Sequence, residues 1–203
     1  MRGWVWGLCL LPAAWLAAGV FMDALGPNPV EHLLRSTGDW TLRLLCLTLA
    51  VTPVRVQCGW PWLAPYRRLL GLWTFFYACL HGVGYAWLDM EWAADAIWRD
   101  LAKRPFILVG FAAWAILCSL ALTSPRGVVR WMGGRRWQQL HRLVYGAAVL
   151  SLLHFYWMRA AKNNLTEVAV YAALMGLLLA WRLVRRVAEA SRRARPAQRA
   201  PTA

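Results

Sequence analysis

The chain has 203 residues, of which 60% are hydrophobic, with a mean hydropathy of +0.41 and a formal net charge of +14. Soluble domains are about 45–50% apolar, so this composition excludes an ordinary soluble globular protein and indicates an all-α integral membrane protein. The 15 tryptophans agree with this class, because amphipathic aromatic rings concentrate at membrane–water interfaces. The five cysteines contain no CxxC pair, which argues against a disulfide framework or a zinc site.

Six apolar segments approach the length of about 20 residues that a helix needs to cross a bilayer. We therefore predict a six-helix transmembrane bundle over residues 1–187. The first segment also has features of a signal peptide, since Arg2 precedes an apolar run that ends in small residues, but its length favours a retained span. In chain order, the predicted spans are 4–22, 40–54, 69–88, 106–122, 143–157 and 168–184.

The distribution of charge predicts the orientation of the bundle. With both termini in the cytoplasm, sixteen of the 23 basic residues fall in inner segments, and eight of the nine acidic residues fall in or beside outer segments. This bias follows the positive-inside rule, so the positive charge requires no nucleic-acid partner. Residues 188–203 are rich in arginine and have no apolar face. We predict that they form a disordered basic cytoplasmic tail attracted to anionic membrane lipid.

Spans two and three form a hairpin that weakly resembles the hairpin of spans four and five. Pro53 and Pro125 are each expected to end a span, because proline cannot continue a helix. Each proline is followed by a basic loop with an Arg-Arg pair, and then by a span that contains a histidine thirteen residues past an inner marker. Two explanations of this similarity stay open. One is an internal duplication, and the other is coincidence among leucine-rich helices.

Depth in the membrane separates the histidines. Thirteen residues of helix cover about 20 Å, so His81, thirteen residues after Arg68, and His154, thirteen after His141, are expected at one depth in the outer half of the bilayer. A histidine inside the membrane is costly unless it is paired. Such a pair would form a hydrogen bond between helices, serve a proton relay, or bind one haem iron from both sides. A proton relay would more often use a buried Asp or Glu, and no acid lies centrally in any span. We therefore favour a haem between helices three and five.

The other two histidines are predicted to have different roles. His141 lies at the cytoplasmic start of span five, about 140° around an ideal helix from His154, so these two do not share a face. His141 would bind a second haem, contact a propionate, help to bind a flavin or quinone, or simply lie at the interface. His32 is expected to lie in an outer loop in contact with solvent.

Arginines near these histidines are candidates for the anionic groups of a cofactor. Arg43, near the outer end of span two, is a candidate for haem propionates. Arg68 is a candidate for a phosphate or carboxylate at the inner face, as are Arg67, Arg135 and Arg136. Membrane topology alone also explains these pairs. Because the sequence contains no GxGxxG or Walker motif, electrons must come from a partner, a quinol or a small flavin.

Four segments of the chain resemble the MsrQ family, formerly called YedZ. The resemblance extends from about residue 28 to residue 164 and continues into span six. It implies the ferric-reductase-like transmembrane fold that is shared with NADPH oxidases. The segments are GDWTLRLLCLTLAVTP, RRLLGLWTFFYACLHGVGYAW, RPFILVGFAAWAILCSLALTS and GRRWQQLHRLVYGAAVLSLLHFYW.

This resemblance implies an electron-transfer subunit in the bacterial inner membrane. Electrons would come from the quinone pool or a cytoplasmic flavin reductase, and a periplasmic molybdopterin subunit would use them to reduce methionine sulfoxide in oxidised proteins. The implied cofactors are haem b, with a second haem left open, and FMN. The family's haem histidines match His81, His141 and His154. Arginine stands at the inner position of span three, where the wider superfamily usually has a histidine for a second haem.

Two other functions stay open at this stage. One is a stand-alone membrane reductase of ferric iron or oxygen, which would need an exposed haem edge and no partner. The other is a haem-free transporter or assembly factor that uses histidines for proton coupling. The acidic outer loop 89–100 is a candidate docking surface for a partner, or a merely solvated loop.

Overall fold

The computed structural model describes residues 3–160 and 165–194, and within them it contains nine α-helices and no strand. The all-α prediction is therefore confirmed. A 3-10 turn, Pro61–Leu63, leads into the third helix, and a π-helix, Tyr85–Asp89, extends it. The helices are α1 (Gly3–Phe21), α2 (Pro29–Gln57), α3 (Ala64–Gly84), α4 (Ala94–Lys103), α5 (Pro105–Leu122), α6 (Arg126–Met132), α7 (Gly134–His141), α8 (Val144–Ala160) and α9 (Thr166–Ala194).

The long helices α1, α2, α3, α5, α8 and α9 each overlap one of the six predicted spans, and α2 and α9 extend well beyond theirs. In the described part of the chain, four stretches are long and apolar enough to cross a membrane: Gly3–Phe21, Pro61–Asp89, Pro105–Leu122 and Thr166–Arg192. The chain is thus a multi-pass membrane protein. Helix α8 has only 17 residues and α2 carries several charged side chains in its first half. Crossing of the membrane by all six helices therefore stays a prediction.

The short helices α4, α6 and α7 occupy segments that were predicted to be loops. In α4, the exposed side chains of Asp95 and Arg99 form an ion pair one turn apart, whereas Ile97 and Leu101 point to the interior and line a cavity. Short amphipathic helices contain no continuous apolar run. A search for membrane spans therefore does not find them.

Helix α2 begins at a capped turn. The Asn28 side-chain oxygen accepts a hydrogen bond from the Glu31 backbone N–H at 3.1 Å, and Pro29 occupies the first helical position. Both features stabilise a helix N-terminus, where backbone N–H groups lack partners. His32 therefore lies in the first turn of α2 and not in a loop, with its ring centroid 6.1 Å from that of Trp15.

Helix α2 does not end at Pro53, so that prediction is wrong. The helix continues to Gln57, although a proline removes the hydrogen bond to the carbonyl four residues earlier. That carbonyl belongs to Leu49, and the buried Arg182 side chain of α9 donates to it from Nη2 at 2.5 Å. A side chain from another helix thus replaces the missing donor. Pro125, in contrast, follows the end of α5 as predicted.

Helix α1 is joined to α3 by the hydroxyl group of Tyr77, which is fully buried. This hydroxyl donates to the Cys9 carbonyl at 2.7 Å and accepts from the Ala13 N–H at 3.0 Å. In a regular helix, Ala13 would donate directly to Cys9, so the hydroxyl is inserted into that bond beside Pro12. Tyr77 lies one turn before His81, and α1 is therefore attached to the helix that carries this candidate ligand.

The main core packs α2 against α5, α8 and α9. Ala147 and Ala148 of α8 are fully buried, and such small residues let transmembrane helices approach closely. This packing brings the helices that carry candidate site residues together around two cavities. The core residues are Leu42, Leu45, Cys46, Leu49, Leu120, Val144, Ala148, Met175 and Leu178.

Helix α9 is longer than the predicted sixth span. It continues to Ala194, so residues 188–194, predicted as the start of a disordered tail, are helical. Arg185 Nη2 and Glu189 Oε1 lie 3.3 Å apart, one turn from each other. Such ion pairs support a helix, as do alanine and arginine. The remainder of the predicted tail, 195–203, lies outside the described residues.

Candidate functional site

A cavity of about 1000 Å³, called here the outer cavity, lies between α2, α3, α5 and α8. Its walls include His81 of α3 and His154 of α8. The ring centroids of these histidines are 6.2 Å apart and their planes are inclined at 80°. The structure therefore brings together the two histidines that were expected at one depth. The volume is at the upper end of the range of about 300–1000 Å³ found for small-molecule and cofactor sites.

Each of these histidines is oriented by a backbone carbonyl of a neighbouring helix. His81 Nδ1 lies 2.9 Å from the Leu34 oxygen of α2, and His154 Nδ1 lies 2.7 Å from the Phe106 oxygen of α5. A carbonyl oxygen only accepts, so each Nδ1 carries a hydrogen and donates it. In a neutral ring, Nε2 is then unprotonated. This is the arrangement by which proteins prepare a histidine as a metal ligand.

Two glycines make room for the imidazole rings. A Cβ atom on Gly38 would lie 3.3 Å from His81 Nδ1, and one on Gly110 would lie 2.8 Å from His154 Nδ1. The second distance is too short for a carbon atom, so a side chain at Gly110 would displace the ring. Each glycine lies four residues, about one helical turn, after the residue whose carbonyl orients the same histidine. In α2 and in α5, one turn of helix thus supplies both the carbonyl that accepts from the histidine and the space for its ring.

The two histidine arrangements repeat along the chain. His81 lies 47 residues after Leu34, and His154 lies 48 residues after Phe106. In both hairpins the glycine occupies the same place relative to the carbonyl. This repetition of contacts favours an internal duplication of the α2–α3 and α5–α8 hairpins over coincidence.

The separation of the rings suits two ligands of one metal ion. A metal–imidazole bond is about 2 Å long. Two imidazole nitrogens that bind one metal ion from opposite sides would therefore lie about 4 Å apart, and their ring centroids about 6 Å apart. The observed 6.2 Å agrees with this value. The described residues contain no group of three or more His, Cys, Asp or Glu side chains that could hold a metal. Two imidazoles at this separation would suit a metal whose other ligands come from a macrocycle, as in haem.

The charged residues of the outer cavity differ from those predicted. Among the described residues that line it, Arg43 is absent. Its Nε donates to the Tyr171 hydroxyl at 3.3 Å, and its guanidinium lies 4.9 Å from the Trp40 ring centroid. Arg43 thus contacts Tyr171 and Trp40, and its role as a propionate partner stays a prediction. The charged residues that do line the cavity are Glu31, Arg35, Asp39, Asp89, Arg104 and Arg159.

The acidic loop 89–100 directs part of its charge inward. Asp100 is buried and accepts a hydrogen bond from the Tyr85 hydroxyl at 2.7 Å. Its other carboxylate oxygen lies 2.8 Å from Arg104 Nε. These contacts attach α4 to the end of α3, so Asp100 is not presented to an outside partner. Docking of a partner on this loop stays a prediction.

A second cavity of about 400 Å³, called here the inner cavity, lies at the opposite end of α3, α5 and α8. It brings together the two predicted inner residues, His141 and Arg68. His141 and His154 therefore line different cavities. They also belong to different helices, because α7 ends at His141 and α8 begins at Val144. The described residues that line the inner cavity include four arginines and no acidic residue. The arginines are Arg67, Arg68, Arg142 and Arg186.

His141 is engaged in a different way from the outer pair. Its Nε2 lies 3.2 Å from Thr123 Oγ1, and its ring stacks on Trp137 at 4.0 Å. The Thr123 hydroxyl donates to the Ser119 carbonyl at 2.6 Å, so it accepts from His141. Burial, and then the charge of Arg67, lower the pKa of His141. Both effects favour the neutral ring, and the contact with Thr123 places a hydrogen on Nε2.

Several functional residues were missed by reasoning from the sequence. Gly38 and Gly110 were not predicted as site residues, and the orienting carbonyls have no side-chain signature. Arg159 is buried at the outer cavity, although the predicted fifth span ends at residue 157. The equal placement of the two glycines within their hairpins is the one signal that could have identified them.

Comparison with known proteins identifies a family model and several relatives that match this chain. The family model described as "Ferric reductase like transmembrane component" matches residues 37–152, which include both orienting glycines and His81 and His141 but end before His154. Most of α2, all of α3 to α7 and part of α8 lie within the match.

Relatives in three bacteria carry one name, "Protein-methionine-sulfoxide reductase heme-binding subunit MsrQ". The protein of Polaromonas naphthalenivorans is 55% identical over 186 residues, which are 92% of this chain and 85% of that protein. The protein of Azospira oryzae is 48% identical over 89% of this chain and 77% of its own length. That of Herminiimonas arsenicoxydans is also 48% identical, over 84% of this chain and 78% of its own length.

Proposed function

The chain belongs to the MsrQ family of haem-binding subunits, and from this membership we propose that it is an electron-transfer subunit that holds haem b between His81 and His154. One observation carries the proposal: the rings lie 6.2 Å apart, and each donates from Nδ1 to a carbonyl. When bound, the haem supplies a one-electron iron couple whose potential depends on its axial ligands.

The residues around the rings have distinct tasks in this proposal. The carbonyls of Leu34 and Phe106 keep each Nδ1 protonated, which leaves Nε2 as the ligand atom. The apolar part of the wall excludes water. Arg35 and Arg104 line the same cavity and are about half exposed. We assign them, in place of Arg43, as donors to the propionate carboxylates.

We assign the inner cavity to an anionic group on the donor side of the protein. Four arginines without a lining carboxylate favour a phosphate or a propionate, so the candidates are FMN, which rests on family resemblance, and a second haem. His141 donates its Nε2 hydrogen to Thr123, and no second histidine lines this cavity among the described residues. A second bis-histidine haem is therefore disfavoured, and Arg68 and His141 are assigned to contacts with the anionic group.

We further propose the direction of electron transfer. The donor would be the quinone pool or a cytoplasmic flavin reductase, and the acceptor a periplasmic molybdopterin-containing methionine sulfoxide reductase, which would itself reduce oxidised proteins. The name of the relatives supports the acceptor. The excess of basic residues in the inner segments supports an inner-membrane protein with both termini in the cytoplasm.

Absorption spectra of the purified protein in detergent test the haem assignment. We expect a Soret band that shifts on reduction with dithionite, and at least one haem per chain. A second haem per chain would assign haem to the inner cavity. A protein without a Soret band would refute the assignment and favour a haem-free transporter or assembly factor.

A second experiment tests the partner. The dithionite-reduced protein, freed of excess reductant, is mixed with the periplasmic reductase and methionine sulfoxide under anaerobic conditions. We expect the reduced spectrum to revert to the oxidised one only when both are present. Reversion with ferric citrate or oxygen at a physiologically useful rate, and none with the periplasmic reductase, would favour a stand-alone membrane reductase.

A further inference from the structure

One ion pair joins the two sides of the outer cavity. Arg159 Nη2 of α8 lies 3.5 Å from Asp39 Oδ2 of α2, and both residues line the cavity. Arg159 follows His154 by five residues, and Asp39 follows Gly38, against which the His81 ring packs. The pair thus connects the helix that carries one candidate ligand to the helix that orients the other.

The members of this pair are withdrawn from water. Arg159 is 8% exposed, and the Asp39 side chain is 18% exposed. The guanidinium also lies 5.1 Å from the Phe155 ring centroid. A second carboxylate, Glu167, lies 2.7 Å from Arg159, but its side chain is 52% exposed. Solvent screens exposed charges and affects buried ones much less. Of the three charged residues, Asp39 and Arg159 therefore contribute most to the electric field inside the cavity.

Neither hairpin has a charged residue at both of these positions. The residue after the orienting glycine is Asp39 in the first hairpin and Phe111 in the second. The residue five positions after the histidine is Arg159 in the second hairpin and Ala86 in the first. Holding an imidazole ring therefore requires no charge at either position, since each hairpin orients its histidine with one of them uncharged. The pair is therefore not needed for orientation of the rings.

We propose that Asp39 and Arg159 tune the reduction potential of the group held between His81 and His154, which rests on the proposed function. A carboxylate stabilises the more positive, oxidised form of a redox centre, and a guanidinium stabilises the reduced form. In the pair these two effects oppose each other. Removing one charge exposes the effect of the other, so the two single neutralisations shift the potential in opposite directions.

The experiment is a spectroelectrochemical titration of the purified haem-loaded protein and four variants. We expect Asp39→Asn to raise the midpoint potential and Arg159→Gln to lower it. Arg159→Lys keeps the charge and is expected to stay close to the wild-type potential. Glu31→Gln is the matched control, because Glu31 lines the same cavity and pairs with Arg35, but both side chains are more than 40% exposed. Its shift is expected to be smaller than that of Asp39→Asn.

Shifts of Asp39→Asn and Arg159→Gln in one direction, or no shift in either, would overturn the proposal. If Arg159→Gln does not retain haem, Asp39→Asn and Arg159→Lys decide. An unchanged potential in Asp39→Asn, or a Lys variant shifted as far as Asp39→Asn, would then overturn it. The haem-to-protein ratio of each variant separates retention from tuning. A wild-type protein without a Soret band would instead refute the proposed function, and this inference with it.

Discussion

The α2–α3 and α5–α8 hairpins hold a histidine in the same way at their outer ends. In each, a carbonyl on the first helix accepts from Nδ1 and a glycine one turn later makes room for the ring. At the inner ends the hairpins differ. Arg68 of α3 occupies the place that His141 has before α8. The symmetry is thus kept at the end where we propose that two histidines bind one metal, and it is lost at the end where we propose an anionic group.

The strongest test of the outer symmetry is removal of either ring. We expect His81→Ala and His154→Ala each to abolish the low-spin haem spectrum, because a single remaining imidazole binds the iron weakly. The haem-to-protein ratio and the reduced spectrum measure the effect. His32→Ala serves as the control, since His32 does not belong to the described lining of either cavity. Retention of the low-spin signal in either variant would refute the pair.

The two glycines test how equal the hairpins are. A Cβ at Gly110 would come closer to its histidine than one at Gly38, at 2.8 Å against 3.3 Å. We therefore expect Gly110→Ala to lose most of its haem and Gly38→Ala to lose less. Gly146→Ala is the matched control on α8, because nothing lies within 4 Å of its added Cβ. Equal loss in Gly146→Ala would show that the effect is general destabilisation of the helices.

The prolines give a third contrast, measured as stability. Helix α2 passes Pro53 with the help of Arg182, whereas α5 ends before Pro125 and needs no such donor. We expect Arg182→Met to destabilise the protein by about 1–3 kcal/mol, because the buried Leu49 carbonyl loses its partner. Thermal unfolding in detergent measures this loss.

A double-mutant cycle with Pro53→Ala isolates the contact. Alanine restores a backbone N–H for the Leu49 carbonyl, so the same Arg182→Met change is expected to cost less in that background. Equal costs in both backgrounds would mean that Arg182 stabilises the fold through its other contacts, such as the Tyr145 ring 5.2 Å away.

The smallest effect is expected at the inner end. His141→Ala should leave the low-spin spectrum of the outer site unchanged, because His141 lines the other cavity. It should slow reduction of the protein by its donor, which stopped-flow absorbance measures. Arg68→Ala should act in the same sense. If His141→Ala loses the outer signal as His154→Ala does, the separation of the two cavities is wrong.

Reasoning from the sequence reached the main site through spacing alone. Thirteen residues of helix and a consistent orientation predicted that His81 and His154 share a depth, and the structure has their rings in contact range. The same reasoning was wrong at Pro53 and did not foresee the contact of Arg43 with Tyr171. In both cases the outcome depends on a residue of α9, Tyr171 for Arg43 and Arg182 for Pro53. A sequence does not show which distant residue faces a given position.

The class of the protein, its long helices and the pairing of the two histidines could be predicted from the sequence, because hydropathy and helical rise are local properties that act over successive residues. The groups that surround those histidines depend on how the helices pack. The carbonyls of Leu34 and Phe106 and the space beside Gly38 and Gly110 exist only when two helices pack together. The partners of the buried charges, Asp39 for Arg159 and the Leu49 carbonyl for Arg182, likewise come from other helices.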